Sequence, residues 1–285
     1  MKPIAWLFFK LSVPDSWVMS KYSLTRSAGK CSFADESVER FRLLWRRTAR
    51  PGGAALDDDI AQRLKAMRHE LQRKHKNVEV SAPAPLGGGW QSVEVKGPSP
   101  VLICVRYLLE GEYLCEAELN VASPAMRREA MKVLRTFQPN PSNEWCAYNL
   151  QFTIPDTWRP VKGKIFPGSS ELEFVKGEDR IQVFSIHPNA TDDTLENLIG
   201  NLMQPKERII ERTHAHMNGH RAVRIDTCRL SARGFWRRLR RQRDYYTYYG
   251  WRCEKRTPPR DYLIRYRRLS HTDDLPKNFR LWCCP

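Results

Sequence analysis

The sequence predicts an α+β protein made of two tandem copies of an antiparallel sheet packed with helices. Three observations predict it. The stretch Leu11-Ser12-Val13-Pro14-Asp15-Ser16-Trp17 returns 141 residues later as Phe152-Thr153-Ile154-Pro155-Asp156-Thr157-Trp158. Runs that alternate apolar and polar residues, the period of a half-buried strand, follow each copy. Amphipathic stretches with acidic starts fall at like places in the two halves, where a helix dipole favours them.

In chain order, the first copy opens with a strand that ends at Pro14, because proline has no N–H for the ladder and Pro-Asp-Ser favours a turn. Gly29–Asp35 and Arg40–Arg47 follow; Phe41, Leu43 and Trp45 alternate with mostly basic neighbours, so a half-buried strand is expected there. Leu56–Lys76 reads as a helix, with Asp57, Asp58 and Asp59 at its start and Ile60, Leu64, Met67 and Leu71 on one face. Strands are expected at Asn77–Ser81, Trp90–Val95, Val101–Leu109 and Tyr113–Val121, the last two joined across Glu110-Gly111-Glu112. Ser123 as N-cap and Pro124 at the first helical position open a helix to about Phe137. Gln138-Pro139-Asn140-Pro141 is the linker.

The second copy repeats the plan. Leu172–Val175 and Ile181–Ile186 are strands, Thr191–Thr194 caps a helix running to about Met203, and Arg208–Ala215 and His220–Asp226 flank a turn at Gly219. It then departs from the first copy: a basic stretch, Gly234–Arg243, runs into the tyrosine-rich Tyr245–Tyr249. A final hairpin ends in Asp261–Tyr266. The closing helix shrinks to a stub, Leu275–Trp282. The domains are therefore 1–140 and 144–285, the second carrying an Arg/Tyr-rich insertion at about 233–251.

The order of elements and the Val13-Pro14-Asp15-Ser16-Trp17 and Ile154-Pro155-Asp156-Thr157-Trp158 turns resemble the PsbP-like superfamily, which includes PsbP, DcrB-type and Mog-type proteins. The resemblance implies a PsbP-like α+β fold in tandem and a mostly non-catalytic binding role. It carries no functional residue onto this chain.

Charge and cysteine content bound the function further. The net charge is +16, and residues 229–268 hold 14 basic and 3 acidic side chains, so most of the excess lies in one segment. Such a field favours anionic partners. No apolar run approaches the roughly 20 residues of a membrane helix. Ile4–Phe9 is too short for a signal peptide and is broken by Lys10. A cytoplasmic protein with no membrane span is expected, its eight cysteines scattered without a C-x-x-C pair and held as reduced thiols.

Two clusters stand out. Arg237, Arg238, Arg240, Arg241 and Arg243 interleave with Trp236, Tyr246 and Tyr248; arginine forks bind carboxylate or phosphate, and aromatic rings stack on bases. This is the expected site for an anion or an acidic protein partner, with nucleic acid binding by 233–268 as the alternative. The second cluster draws on His214, His216, His220, Cys228, Cys253, Cys283 and Cys284. His214 and His216 share one strand face, and a C-terminus folded back over the sheet would bring Cys253, Cys283 and Cys284 to them as zinc ligands, although no spacing matches a zinc signature. No Gly-rich phosphate loop exists, since Gly87-Gly88-Gly89 lacks the lysine and the helix. The reading is a non-enzymatic binding protein with a basic surface, no catalytic residues and no cofactor, unless zinc or a thiol-redox site lies near the C-terminus.

Overall fold

The computed structural model describes residues 1–284 apart from 7, 25–26, 37, 49–55, 75–77, 141–143, 148–149, 167, 189–193, 231–241 and 269–273. The chain divides into two compact units, Met1–Pro141 and Ser142–Pro285.

The first unit runs β1 (Lys2–Trp6), β2 (Phe9–Val13), β3 (Val18–Leu24), β4 (Ala28–Ala34), β5 (Glu39–Arg47), α1 (Leu56–Lys74), β6 (Glu79–Val80), β7 (Ala84–Gly87), β8 (Trp90–Lys96), β9 (Val101–Leu108), β10 (Tyr113–Asn120), α2 (Pro124–Thr136) and β11 (Gln138–Pro139). Its large sheet has the order β3-β4-β5-β10-β9-β8-β6, with β7 also on β8; β11, β2 and β1 form a small sheet.

The second unit runs β12 (Glu144–Ala147), β13 (Leu150–Thr153), β14 (Arg159–Phe166), β15 (Ser169–Lys176), β16 (Asp179–Ile186), α3 (Leu195–Leu202), β17 (Arg208–Met217), β18 (His220–Leu230), β19 (Arg243–Cys253), β20 (Arg260–Arg268) and β21 (Arg280–Trp282). Its large sheet has the order β14-β15-β16-β20-β19-β18-β17, the same path as in the first unit, and β12, β13 and β21 form its small sheet.

The repeated heptapeptide makes the same turn twice. The amide of Trp17 donates to the Pro14 carbonyl at 3.0 Å and that of Trp158 to the Pro155 carbonyl at 2.9 Å. Both indoles return to buried positions. In the first unit Ile60, Leu64, Met67 and Leu71 of α1 pack on Val80, Val93, Ile103, Val105 and Leu114. In the second, Ile199 of α3 packs on Phe184, Ile225, Tyr246, Tyr248 and Leu263. Gly250 permits this approach: a Cβ there would lie 2.9 Å from Leu263 Cδ2 and 3.1 Å from Ile199 Cδ1.

Helix α2 is fixed by its ends and by one ion pair. The Ser123 side chain accepts from the Met126 amide, as an N-cap should. Arg127 reaches Glu94 of β8 with two parallel bonds of 2.8 Å. That bidentate contact, more than the opposing burial, holds the Glu94 carboxyl below its ordinary range. A lowered carboxyl pKa stabilises above the unfolded value and is lost as pH falls through the folded one. Glu94→Gln should therefore cost at most about 1 kcal/mol at neutral pH, because the pair is partly exposed. The gap from wild type should close on acidification, as followed by urea denaturation at a series of pH values.

The α+β reading is corrected here. Among the described residues β structure dominates, with 57 % in strands and 16 % in three helices. The expected closing helix at Leu275–Trp282 is not formed. The Phe279 amide bonds to the Pro276 carbonyl in a turn, and Arg280–Trp282 pairs with β13 as β21. Leu281 and Phe279, spaced by two, are buried on the strand period rather than the helical one. A free sheet edge at β13 decides in favour of strand. The tandem PsbP-like fold is overturned with it: strands dominate, and the second unit lacks the terminal helix that the resemblance requires.

Candidate functional site

The second unit presents two distinct chemical settings, one on each face of its large sheet. The register separates them. In the β17–β18 hairpin, His216 pairs with Arg221, His214 with Val223 and Arg212 with Ile225, while Met217 pairs with His220. Directly opposed residues share a face, so His214 and His216 lie on the side of α3, and His220 lies on the other.

On the α3 side a polar network fills the sheet between β16 and β18. Glu207, its side chain fully buried, accepts from Arg265 at 3.1 Å, from the Tyr248 hydroxyl at 2.7 Å and from Thr227 at 2.9 Å. Burial raises the Tyr248 phenol well above its usual pKa, with Arg265 opposing. Arg265 also stacks over the Tyr246 ring at 4.6 Å. Arg267 pairs with the buried Asp244 at 3.0 Å, and Arg180 pairs with Glu173 at 2.5 Å. Together Glu173, Arg180, Gln182, Gln204, Arg229, Tyr246, Arg265 and Arg267 line a hollow of about 220 Å³. Arg229 sits over Tyr246 at 5.6 Å, and its Nε has no hydrogen-bond partner among the described residues. A second hollow shares Arg229 with the first and is bounded by Lys206, Arg208, Leu230 and Arg243; the register puts the last three on the face of His220.

The second hollow reaches β17, the terminal strand of the sheet, through Arg208. Arg208 to His214 are exposed without interruption, including Ile209 and Ile210, and Leu230 beside them is 64 % exposed. The equivalent edge of the first unit is different. There β6 has two residues and β7 has four, one of them Pro85. Short edge strands and proline are how sheets discourage pairing with other chains. At the opposite edge of the second unit, β14 carries Pro160 and a bulge. Strand β17 has a bulge only between Ile209 and Glu211 and no proline or glycine.

Of the residues singled out in the sequence for anion or partner binding, Trp236, Arg237, Arg238, Arg240 and Arg241 lie outside the described residues. Arg243 lines the second hollow. Tyr246 and Tyr248 are buried, at 2 % and 0 % exposure, with their rings packed under α3 and arginines. They are therefore not open platforms for stacked bases. Arg229, Glu207 and Leu230 were not selected from the sequence; only the pairing of β18 with β19 shows which of them share a face.

On the other side of the sheet the small sheet packs on β15, where Trp145 and Phe152 meet the Phe174 ring edge-on. At its rim, where β18 begins, β19 ends and β21 leaves the sheet, four side chains converge. His220 Nε2 lies 3.0 Å from Cys284 Sγ; Cys284 Sγ lies 3.7 Å from Cys253 Sγ and 3.8 Å from Cys283 Sγ. All four donor atoms are within 4.8 Å of one another. Cys253 and Cys283 are fully buried. Burial pushes the Cys283 thiol up to about 11, against a downward pull from the indole of Trp251. Arg256 Nε donates to the Cys283 carbonyl at 2.6 Å, and the Asn218 amide donates to the Leu281 carbonyl. The structure thus brings Cys253, Cys283 and Cys284 together but leaves His214 and His216 on the opposite face; the imidazole present is that of His220. The Asn218-Gly219 turn, with φ of +53° and +78°, is the sequence signal that could have set this parity.

Among the described residues no helix is long and apolar enough to cross a membrane. No protein-family model matches the chain, and no curated protein matches it. Similar solved structures include the apo form of the immunity protein TplEi of T6SS from Pseudomonas aeruginosa, 10 % identical over 99 % of this chain and 98 % of that one, with a TM-score of 0.42. The same immunity protein complexed with "L" peptide is 12 % identical over 97 % and 91 %, with a TM-score of 0.41. The Tle4-Tli4 complex is 10 % identical over 99 % and 98 %, also with a TM-score of 0.41. No family model supports the PsbP-like resemblance, and it is withdrawn on the strand content described above.

Proposed function

We propose that this chain is a protein-binding module whose second unit captures an extended, acidic segment of a partner protein along the edge of β17. The observation that carries this reading is the contrast between the two sheet edges: short and proline-bearing in the first unit, ten residues long and exposed in the second. An edge strand offers a row of backbone donors and acceptors to an added strand. Ile209, Ile210 and Leu230 supply apolar contact. Lys206, Arg208, Arg212, Arg229 and Arg243 set the sign of the partner, with Glu211 the one exposed acid on the strand.

The test uses a fluorescent, capped peptide of the length of β17 that alternates Glu and Thr, with single-stranded DNA of equal charge as the second arm. Fluorescence anisotropy should show the peptide binding the full chain at low salt. The Arg208→Glu/Arg212→Glu variant should bind at least roughly tenfold more weakly, since like charges on a strand rim repel. Peptide affinity that is absent, or unaffected by the double variant, overturns the reading. DNA binding tighter than peptide binding, falling steeply with salt, replaces it with nucleic-acid recognition.

A further inference from the structure

We infer that His220, Cys253, Cys283 and Cys284 form a structural zinc site that ties the C-terminal tail to the large sheet of the second unit. The inference is independent of the β17 reading, because it concerns different residues, at the His220 end of β18 and the Cys253 end of β19.

The donor set is the first argument. Three thiol sulfurs and one imidazole nitrogen make a Cys3His set, a combination that structural zinc sites use with all four positions taken by protein. The geometry is the second. Zinc–sulfur bonds of about 2.3 Å in a tetrahedron place neighbouring sulfurs roughly 3.8 Å apart. The Cys284 sulfur lies 3.7 Å from that of Cys253 and 3.8 Å from that of Cys283. A disulfide needs about 2.05 Å, and any one disulfide among three thiols would leave the third sulfur and the imidazole facing it without a role. Adjacent cysteines in a regular strand would point to opposite faces. Here Cys283 and Cys284 follow the last residue of β21, so the backbone leaves the pleat and both sulfurs reach one point.

The surroundings are the third argument. Metal sites are held by partners that orient the ligands. The tail backbone is clamped on both sides of the cluster, by Asn218 at the Leu281 carbonyl and by Arg256 at the Cys283 carbonyl. Three thiolates and a divalent ion leave one net negative charge, and Arg256 is held at the Cys283 carbonyl beside them. On binding, the three thiols release their protons to solvent, the imidazole ligates in its neutral form through Nε2, and no redox step is involved. The ion would link the start of β18, the end of β19 and the tail after β21, three segments that no covalent bond joins locally.

The test is metal analysis of the full chain purified without chelator. About one zinc per chain is expected, released when a mercurial reagent blocks the thiols. Cys253→Ser and Cys284→Ser should each lower the zinc content at least roughly tenfold, whereas His214→Ala, His216→Ala and Cys146→Ser should leave it unchanged. Should the cysteine variants fail to fold, cobalt added to chelator-treated wild type decides the question. The intense visible bands of tetrahedral cobalt with a thiolate charge-transfer band are expected, and zinc should bleach them. Reduced protein that takes up neither metal overturns the inference. So does a mass showing a Cys253–Cys284 or Cys283–Cys284 disulfide in freshly purified protein, or equal zinc loss in the His214 and His216 controls.

Discussion

Asp226→Ala is expected to destabilise the second unit by about 3–5 kcal/mol, the usual result of removing one partner from a buried ion pair. Asp226 is 4 % exposed on β18, and its carboxylate satisfies three neighbours. Arg268 donates to Oδ1 at 3.2 Å, the Thr247 hydroxyl donates to the same oxygen at 2.5 Å, and Arg224 Nε donates to Oδ2 at 2.9 Å. Arg268 is 2 % exposed and a guanidinium does not lose its proton, so without Asp226 a full positive charge stays buried and unmatched. Urea denaturation of the full chain should show a lower midpoint. The double variant Asp226→Ala/Arg268→Met should recover most of the loss, because removing both charges removes the uncompensated desolvation. A single-variant loss under about 1 kcal/mol would show that Arg268 finds another partner and that the network is not what holds β18 to β20.

Phe152→Ala is expected to cost a similar amount, about 3–5 kcal/mol, through a cavity rather than a charge. The ring of Phe152 is fully buried, parallel to Trp145 at 6.0 Å and edge-on to Phe174 at 5.5 Å. It is the point where β13 meets the large sheet, and Leu281 of β21 is its register partner. Truncation would remove the packing that seats β21 and, with it, the tail bearing Cys283 and Cys284. Phe152→Leu should cost clearly less, because it keeps most of the volume. If the two variants were equally stable, the ring would not be the wedge between the sheets. A fluorescence melt of both variants decides it.

The fate of individual residues shows what a linear reading can reach. The turns at Pro14 and Pro155 were legible because they are local: proline ends the ladder, and the turn closes over four residues and returns Trp17 and Trp158 to the core. The face of α1 was legible for the same reason, since Ile60, Leu64, Met67 and Leu71 repeat on the helical period. Tyr246 and Tyr248 misled. A basic, tyrosine-rich stretch looks alike whether its rings face solvent or a helix, and only the seating of α3 on Gly250 and its neighbours buries them. Leu275–Trp282 misled in the other direction, because a short amphipathic piece takes whichever period its neighbour rewards, and its neighbour is the open edge of β13.

By itself the sequence determined where α1 and α2 begin, the turns at Pro14 and Pro155, and the concentration of positive charge within residues 229–268. Those features rest on interactions within a few residues or on sums over composition. Tertiary structure alone decided that strands outweigh helices, that β17 is a long exposed edge while its counterpart is broken, and that His220 rather than His214 or His216 meets the three cysteines. Each of these depends on which residues oppose one another across a sheet. A shift of one position in that register moves every side chain to the other face, and the local sequence does not encode it.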